Sequence, residues 1–471
     1  MSVAYDFDFL CIGSGPAGQR AAVQAAKLRK KVAIVEQEFD VGGVCLHTGT
    51  IPSKTFREAV LSFNRNRDSM ANGHGLNGYI GHNEERATAP KLLSRVSAIV
   101  HSEARVQRDQ LFRNGVDVIP GSAVFTGPNT IQVRSSSGAR DVSAEKLLIA
   151  VGTKARRGGG LSGELPCVVT SDDIVKLGEL PRSAIVIGCG VIGIEYASMF
   201  AALGIKTVVI DGRDRPLEFL DGEIVDELIH QLRKKMVTFR LGEAVKNIEY
   251  REGPPQQAIV YLESGKRVVA DLVLTCTGRI GASDALQLER AGLAADDRGR
   301  IKVDCAFRSD VPHIFAAGDI IGYPSLAATS SEQGRLAACH AFGAPAKPMP
   351  SHFPIGIYAI PEISMVGQNE HVLTRQGGPY ETGVARYREI ARGHILGDDS
   401  GMLKLIFHAE TRKLLGVHAI GTGSTELIHI GQAVLGLGGG LDYFLETVFN
   451  YPTLTECYKV AALDAHNKMS L

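Results

Sequence analysis

The chain has 471 residues, enough for about three domains of ordinary size. Lysine plus arginine equals aspartate plus glutamate, 51 residues each, so no excess of charge favours a nucleic acid or an anionic membrane as the partner. No apolar run approaches the roughly 20 residues that a bilayer crossing requires, and no signal-like segment precedes the first apolar strand, so we expect a soluble cytoplasmic protein.

The eight cysteines are scattered, and no two of them form a C-x-x-C pair. This spacing argues against a structural zinc site and against a scaffold held by disulfides. Cys11, Cys189 and Cys276 lie within apolar, strand-like runs, where cysteine behaves as a small buried hydrophobic residue.

The first predicted elements form a strand–helix–strand unit with a glycine motif. A strand at 8–12 leads into the motif, an alanine-rich helix continues to Lys27, and a second strand at 31–35 ends at an acid. In such a unit the first glycine permits a tight turn, the second lets the backbone approach a pyrophosphate, and the third lets helix and strand pack closely. The helix N-terminus adds positive potential, and the acid accepts from ribose hydroxyls. The fingerprint residues are Gly13, Gly15, Gly18 and Glu36.

The following region leads away from this unit and back to it. Residues 66–90 are polar and rich in glycine and asparagine, which predicts a surface excursion. A long amphipathic helix is expected over 88–111. A buried strand at 147–153 then contains a glycine turn at Gly152, after which the sequence becomes loop-like.

A second strand–helix–strand unit repeats the first. Strands are predicted at 184–187 and 206–210, with a helix over 195–203 between them, and a strand within 270–278 leaves the unit at Gly278. In both units the acid lies eighteen positions after the last motif glycine. The duplication predicts an α/β protein with two doubly wound parallel sheets of the Rossmann type, each able to bind a dinucleotide. The second fingerprint consists of Gly188, Gly190, Gly193 and Asp211.

The end of the second unit combines an acid with two arginines. Asp211 suits the 2′-hydroxyl of NAD, because a carboxylate would repel a 2′-phosphate. Arg213 and Arg215 follow, and an arginine beyond this strand could bind the 2′-phosphate of NADP. We therefore expect a site that tolerates both nucleotides; the alternative is that either arginine is a solvated surface charge.

The stretch 41–54 carries a motif that points to a family. Gly42 and Gly43 permit close approach of the backbone, Cys45 follows them, and I-P-S-K begins a helix with proline in its first turn. The whole chain resembles the flavoprotein disulfide reductase family, whose members carry G-G-x-C-x-x-x-x-C-I-P-S-K at this place. This sequence has Thr50 where the second cysteine of that motif stands.

Two departures from the family pattern bear on the reaction. Without the second cysteine no disulfide forms at this motif, so electrons cannot pass to a disulfide substrate by thiol exchange. Relatives also carry a His-Pro-Thr whose histidine is the acid–base catalyst, whereas Tyr451 precedes Pro-Thr here. Tyrosine, with an ordinary pKa of about 10, is a poor substitute near neutral pH. The chain resembles most closely the family members that share these losses, at 49–54, 317–327, 358–364 and 449–453.

The resemblance implies roles for residues outside the fingerprints. Gly318 and Asp319 are expected to close the FAD site, and a helix beginning near Leu326 to point its N-terminus at the flavin. Lys54 and Glu195 match the family's ion pair beside flavin N5, where a cation favours acceptance of hydride. The alternatives are a helix-surface lysine and an acid that stabilises a helix N-terminus.

The remaining residues of the motif regions are harder to assign. Cys45 is expected to pack near the flavin, with a reactive thiol as the alternative. His47 and Tyr451 have no role that we derive from the sequence.

The resemblance therefore implies an enzyme with FAD, NAD(H) and NADP(H) as its cofactors. We expect ping-pong hydride transfer from NADPH to NAD through the flavin, in a reversible reaction without a redox-active disulfide. The alternatives are an NAD(P)H:quinone or dye oxidoreductase, an oxidase or peroxidase that uses Cys45, and a flavin-bearing redox sensor without catalysis.

The expected organisation follows from the two units and a proline-rich linker at 345–354. The last segment contains an apolar helix and no glycine fingerprint, so it is expected to be an interface domain that joins at least two copies of the chain. The predicted divisions are 1–153 for the first part of the FAD-binding domain, 154–279 for the NAD(P)-binding domain, 280–345 for the second part of the FAD-binding domain, and 346–471 for the interface domain.

Overall fold

The computed structural model describes residues 4–37, 40–71, 87–156, 165–253 and 256–469. The strands are β1 (Phe7–Ile12), β2 (Val32–Glu36), β3 (Asp117–Pro120), β4 (Ser122–Gly127), β5 (Thr130–Ser135), β6 (Gly138–Ile149), β7 (Thr153–Ala155), β8 (Val168–Thr170), β9 (Ser183–Ile187), β10 (Lys206–Asp211), β11 (Thr238–Leu241), β12 (Val245–Arg251), β13 (Gln257–Leu262), β14 (Arg267–Ala270), β15 (Leu272–Thr275), β16 (Arg279–Gly281), β17 (Ile314–Ala316), β18 (Ile355–Ile357), β19 (Ile363–Gly367), β20 (Tyr380–Arg386), β21 (Met402–His408) and β22 (Leu414–Ile420).

The helices vary from single turns to long rods. They are α1 (Pro16–Lys27), α2 (Gly43–His47), α3 (Thr50–Ala71), α4 (Ala89–Arg113), α5 (Val191–Ala202), α6 (Gly222–Lys234), α7 (Ala327–Ala341), α8 (Glu370–Gln376), α9 (Ala391–Leu396), α10 (Ser424–Gly436), α11 (Leu441–Glu446) and α12 (Glu456–Met469). Among the described residues, no helix combines the length and the apolar character that a bilayer crossing needs.

The first unit is built on a parallel sheet in the order β3-β2-β1-β6-β17. Alternate residues of its buried strands face opposite sides, as the period of a strand requires. Phe9 and Cys11 pack with α1 and α7, whereas Leu10 and Ile12 pack with β4, β5 and the first half of β6. An antiparallel β4-β5-β6 layer therefore covers the face opposite the helices.

The second unit repeats this design with the parallel order β11-β10-β9-β15-β8. Val186 on β9 packs with α5 and α6, while its neighbours Ile185 and Ile187 pack with the antiparallel sheet β12-β13-β14. The two parallel sheets predicted from the duplication are confirmed. The antiparallel layer on one face of each sheet was not predicted, because the duplicated motif covers only the strand–helix–strand core.

The C-terminal unit is an antiparallel sheet in the order β18-β19-β22-β21-β20, flanked by α10 and α12. The short antiparallel pair β7–β16 connects the first and second units. These sheets follow the expected order along the chain, and the divisions at 153, 279 and 345 stay predictions.

Some element bounds differ from those expected. The second motif helix begins at Val191 rather than at 195, because Gly190 is already its extended N-cap, just as Gly15 is for α1. Helix α3 continues to Ala71, so residues 66–71 are not part of a surface loop. After Pro52 in its first turn, no glycine or proline interrupts the sequence before that point, and residues 72–86 of the expected excursion lie outside the described residues.

Two further expectations at strand ends need correction. The strand expected at 147–153 ends at Ile149 and begins earlier, at Gly138. It is longer at its start because the first half of β6 pairs with β5 and its second half pairs with β1. Cys276 is half-buried rather than buried, since β15 ends at Thr275. Cys11 and Cys189 are fully buried, as expected.

A buried cation joins the second unit to the C-terminal unit. Lys404 on β21 is fully buried, and its Nζ lies 3.1 Å from Asp221 and 2.6 Å from Glu223, with Glu370 also in contact. Burial alone would lower the pKa of the Lys404 ammonium, but the carboxylates raise it above its ordinary value. Asp221 also caps α6 by accepting from the amide of Glu223 at 3.2 Å.

We expect Lys404→Met to lower the free energy of unfolding by about 3–5 kcal/mol, because Asp221 would remain buried without its cation. Urea denaturation of the purified protein measures this change. Lys468→Met, which removes a surface pair with Asp464, is the matched control and should cost less than about 1 kcal/mol. Equal effects of the two substitutions would contradict the assignment of a structural role to the buried cation.

Candidate functional site at the junction of the three units

The two glycine motifs have the same geometry. A Cβ on Gly18 would lie 1.9 Å from the carbonyl oxygen of Gly13, and a Cβ on Gly193 would lie 1.9 Å from that of Gly188. The third glycine of each motif therefore lets the helix pack on the preceding turn. In contrast, a Cβ on Gly15 or Gly190 would meet no atom of the described residues within 4 Å.

The first glycine of each motif faces a neighbouring strand end. Gly13 has φ +101° and would place a Cβ 2.5 Å from the oxygen of Ala150, and Gly188 has φ +108° and would place one 2.4 Å from that of Cys276. Both positions therefore require glycine. The middle glycine of each motif remains open to whatever approaches the helix N-terminus.

The acids at the strand ends bind the motifs themselves. Glu36 accepts from the amide of Ser14 at 2.9 Å and from its hydroxyl at 2.5 Å. Asp211 accepts in the same way from the amide of Cys189 at 2.7 Å. Each acid thus holds the residue after the first motif glycine, which fixes the turn in place.

Asp211 has a further partner in Arg213, two positions along the sequence, where the first unit has a glutamate at position 38. Arg213 donates to both carboxylate oxygens of Asp211, from Nε at 3.0 Å and from a terminal nitrogen at 2.7 Å. Burial alone would raise the pKa of Asp211, but the hydrogen bonds from Arg213 and from the Cys189 amide lower it below its ordinary value. Arg215 lies apart from this pair, because it binds Asp226 at 2.5 Å and the carbonyl of Gly222 at 2.6 Å.

The segment between β2 and α3 packs against the first motif. Gly42 and Gly43 have φ +126° and +57°, and a Cβ on Gly43 would lie 3.0 Å from Cα of Gly15. The amide of Gly42 donates to the hydroxyl of Ser14 at 2.9 Å. His47 bonds the carbonyls of residues 40 and 41, both at 3.1 Å, so it anchors this segment.

Cys45 and Thr50 contact each other at the positions of the two cysteines in the family motif. Cys45 is half-buried, and burial raises the pKa of its thiol, while a side-chain hydrogen bond with Thr50 opposes that shift. All eight cysteines of the chain are free. A thiol with a raised pKa and no sulfur partner is a poor nucleophile at neutral pH, which supports a packing role for Cys45.

An ion pair joins the two dinucleotide units. Lys54 on α3 donates to both oxygens of Glu195 on α5, at 2.9 and 2.8 Å. The side chain of Glu195 is 4% exposed and that of Lys54 is 26% exposed, so the cation reaches solvent while the carboxylate does not. The surface-lysine alternative for Lys54 and the helix-terminus alternative for Glu195 do not describe this geometry.

Two loops complete the surroundings of the first motif. Gly318 (φ +85°) precedes Asp319, which accepts from the hydroxyl of Ser330 at 3.2 Å near the start of α7. Burial raises the pKa of the Asp319 carboxyl. Gly152 and Gly278 have φ +64° and +113° and flank the β7–β16 pair, with open space where their side chains would be.

The predicted residues thus fall into two groups in space. The first motif, Glu36, Gly42, Gly43, Cys45 and Asp319 surround the N-terminus of α1, and the second motif, Asp211 and Arg213 surround that of α5. Tyr451 is 69% exposed, and nothing in the described residues gives it a role in this site.

Comparison with known proteins agrees with this arrangement. The sequence pattern of the pyridine nucleotide-disulphide oxidoreductases matches residues 7–334, and that of their dimerisation domain matches residues 353–462.

The chain belongs to the pyridine nucleotide-disulphide oxidoreductase family.

Full-length relatives define the branch of this family. The chain is 50% identical over 466 residues to a soluble pyridine nucleotide transhydrogenase of Mycobacterium bovis, covering 98% of each chain. It is 40% identical over 476 residues to a soluble pyridine nucleotide transhydrogenase of Colwellia psychrerythraea, covering 100% of each. Among solved structures, the HOCl-induced flavoprotein disulfide reductase RclA from Escherichia coli is similar, with a TM-score of 0.87, 26% identity and coverage of 97% of this chain and 99% of that one.

Sequence reasoning missed the residues that hold the ion pair from the C-terminal unit. The amide of Tyr358 donates to Glu195 Oε1 at 2.8 Å, and the amide of Ile360 donates to the hydroxyl of Ser198 at 2.9 Å. The stretch 358–364 was noted only as a point of resemblance. Its adjacency to α5 depends on how the units dock, which no local pattern encodes.

Proposed function

We propose that this protein is an FAD-dependent transhydrogenase that moves hydride reversibly between NADPH and NAD. The observation that carries the proposal is an ion pair with a buried carboxylate between two dinucleotide units whose glycine turns have the same geometry, beside a cysteine that has threonine as its partner. A reduced flavin in such a site has no disulfide to pass its two electrons to, so a second nicotinamide nucleotide is its natural electron acceptor. The names of the full-length relatives support this interpretation.

FAD fits the first unit. The open space at Gly15, the positive N-terminus of α1 and the absence of acidic residues in its first turn suit a pyrophosphate. Glu36 would hold the ribose, and Asp319 would bind the ribityl chain. When bound, FAD supplies a two-electron carrier that accepts hydride from one nicotinamide nucleotide and returns it to another.

The chain's own residues supply the position and the electrostatics. Lys54 would keep a positive charge beside the flavin, and Glu195 fixes that charge by accepting two hydrogen bonds. Because Glu195 is buried and α5 is packed on nearly all sides, the cation is placed by rigid elements of the fold. Gly42, Gly43, Gly152 and Gly318 would let the backbone pass close to the cofactor.

The nicotinamide nucleotides would bind in turn at the second unit. Gly188, Gly190 and Gly193 would form the pyrophosphate turn at α5, and Gly278 lies two residues after Cys276, whose carbonyl faces Gly188. Asp211 would serve the 2′-hydroxyl of NAD and Arg213 the 2′-phosphate of NADP. The direct pair between them suggests how one site serves both, since Arg213 can leave Asp211 for a phosphate.

The proposal extends to assembly and location. The match to a dimerisation domain indicates a homo-oligomer, and we take a homodimer as its smallest form. Eight free thiols suit a reducing cytoplasm.

The decisive experiment supplies purified FAD-loaded protein with NADPH and thio-NAD and follows thio-NADH, with quinone and lipoamide assayed in parallel. We expect robust thio-NADH formation and negligible lipoamide reduction, because no dithiol is present. Rapid quinone turnover with little thio-NADH would favour a quinone reductase. Turnover of lipoamide would contradict the argument from Thr50.

Substitution of the open motif glycines separates the two nucleotide sites. Gly15→Ala and Gly190→Ala add a methyl group that meets no protein atom within 4 Å, on backbones with ordinary φ of −65° and −75°. The fold should therefore survive both. We expect Gly15→Ala to lower the FAD content and Gly190→Ala to keep FAD but weaken NADPH binding, as measured by flavin absorbance and by titration. The reverse pattern would refute the assignment of the units.

Arg213 provides a test of the nucleotide preference. Arg213→Ala should raise the KM for NADPH about tenfold or more, because a charge-assisted contact to the 2′-phosphate is lost, while the KM for NADH changes little. Arg215→Ala, whose arginine binds Asp226 instead, is the matched control and should affect neither. Equal weakening of both nucleotides in Arg213→Ala would show that the arginine does not read the phosphate.

A further inference from the structure

A short segment of the C-terminal unit, residues 358–362, lies against both helices that carry the ion pair. The amide of Tyr358 donates to Glu195 Oε1 at 2.8 Å, so Glu195 is bonded by Lys54 and by this segment at once. On the other side, Nε of Arg57 donates to the carbonyl of Ala359 at 3.0 Å. The segment 358–362 therefore contacts α3 and α5 together.

The contacts follow the helical repeat on both sides. Arg57 lies three residues after Lys54 on α3, and Ser198 lies three residues after Glu195 on α5. Residues at this spacing share one face of a helix. The hydroxyl of Ser198, which donates to the carbonyl of Glu195 at 2.7 Å, accepts from the amide of Ile360 at 2.9 Å. Segment 358–362 thus fixes the relative register of the helices at the ion pair and one turn beyond it.

The ring of Tyr358 also meets the cation directly. Lys54 Nζ lies 5.0 Å from the centroid of this ring, within the range of a cation–π interaction. Burial raises the pKa of the Tyr358 phenol. A side-chain hydrogen bond with Thr425 opposes this shift and fixes the hydroxyl end of the ring. Thr425 in turn donates to Glu362 at 3.0 Å, so the ring is held between the cation and the C-terminal unit.

These contacts leave the Lys54 ammonium little freedom. The two hydrogen bonds that the ammonium donates to Glu195 fix its distance from α5, and the Tyr358 ring restricts its direction. Without the ring, a side chain that is 26% exposed could turn toward solvent while it keeps one bond to Glu195. The position of the charge, rather than its presence, then depends on Tyr358.

We propose that Tyr358 is a positioning residue for hydride transfer, whose ring holds the Lys54 charge where the flavin is reduced. The inference rests on the proposed function for the identity of the electron carrier. It adds that the C-terminal unit takes part in the chemistry through Lys54 and Glu195. The ring, rather than the phenol hydroxyl, is the effective group.

The test compares Tyr358→Leu, Tyr358→Phe and the wild-type protein, each loaded with FAD. The first readout is the redox equilibrium of the bound flavin with a reference dye, which needs no nicotinamide nucleotide. The second is the rate constant of flavin bleaching by NADPH in anaerobic stopped flow, together with the Kd for NADPH. Tyr380→Leu is the matched control, because Tyr380 forms a similar bond to a threonine hydroxyl, Thr374, at 2.8 Å elsewhere in the same unit.

We expect Tyr358→Leu to shift the dye equilibrium toward oxidised flavin and to slow bleaching about 3- to 30-fold, the factor that loss of one cation–π contact produces. FAD content and the Kd for NADPH should stay unchanged. Tyr358→Phe keeps the ring, so its dye equilibrium and its rate constant of bleaching should lie within about twofold of the wild-type values. Tyr380→Leu should match the wild type in both readouts.

A double-mutant cycle tests whether the effect passes through the cation. In a Lys54→Met background, Tyr358→Leu should no longer change the dye equilibrium. If Tyr358→Leu does not retain FAD, Tyr358→Met replaces it, because methionine fills the space without a ring.

Three outcomes would overturn the inference. They are a normal dye equilibrium in Tyr358→Leu, an equal defect in Tyr358→Phe, and an undiminished effect in the Lys54→Met background. Because the dye equilibrium involves no nicotinamide nucleotide, its result can be interpreted even if the transhydrogenase assay fails.

Discussion

The ion pair between Lys54 and Glu195 sets the constraint on which the site depends. Its cation belongs to the first unit and its carboxylate to the second, and the carboxylate is buried. A buried carboxylate without its partner is costly, so α3 and α5 must pack against each other with these residues opposed. The shared core confirms this packing, because Phe56 of α3 and Ile194 of α5 belong to one hydrophobic cluster that also includes Ile357 of the C-terminal unit. The chemistry of the site is therefore tied to the docking of three units.

Within this frame, the glycine turns of the two nucleotide units have the same geometry. Corresponding glycines of the two motifs make the same close contacts, and each acid binds the residue after the first glycine. What distinguishes the units is the neighbour of that acid. In the second unit Arg213 pairs with Asp211 through two hydrogen bonds, which places a positive charge at the end of β10. Beside the first unit, Cys45 has the hydroxyl of Thr50 as its neighbour rather than a second thiol.

Much of this could be predicted because the signals were local. A glycine turn, a helix start and an acid at a fixed spacing lie within about thirty residues of each other, as the βαβ unit requires. The errors also had local causes: the start of α5 was placed four residues late, and β6 was truncated because its first half belongs to a different layer. The pairing of Arg213 with Asp211 was missed, since both had been assigned to ligands rather than to each other.

By itself, the sequence determined the two parallel sheets, the two glycine fingerprints and the presence of Thr50 at the second cysteine position of the motif. Each of these features depends only on residues that lie close together in the sequence at a fixed period or spacing. The tertiary structure decided the rest. Tyr358 lies 163 positions from Glu195 along the chain, yet its amide bonds that carboxylate. Contacts of this kind arise from the packing of whole units against a common core, and their geometry depends on many distant side chains at once.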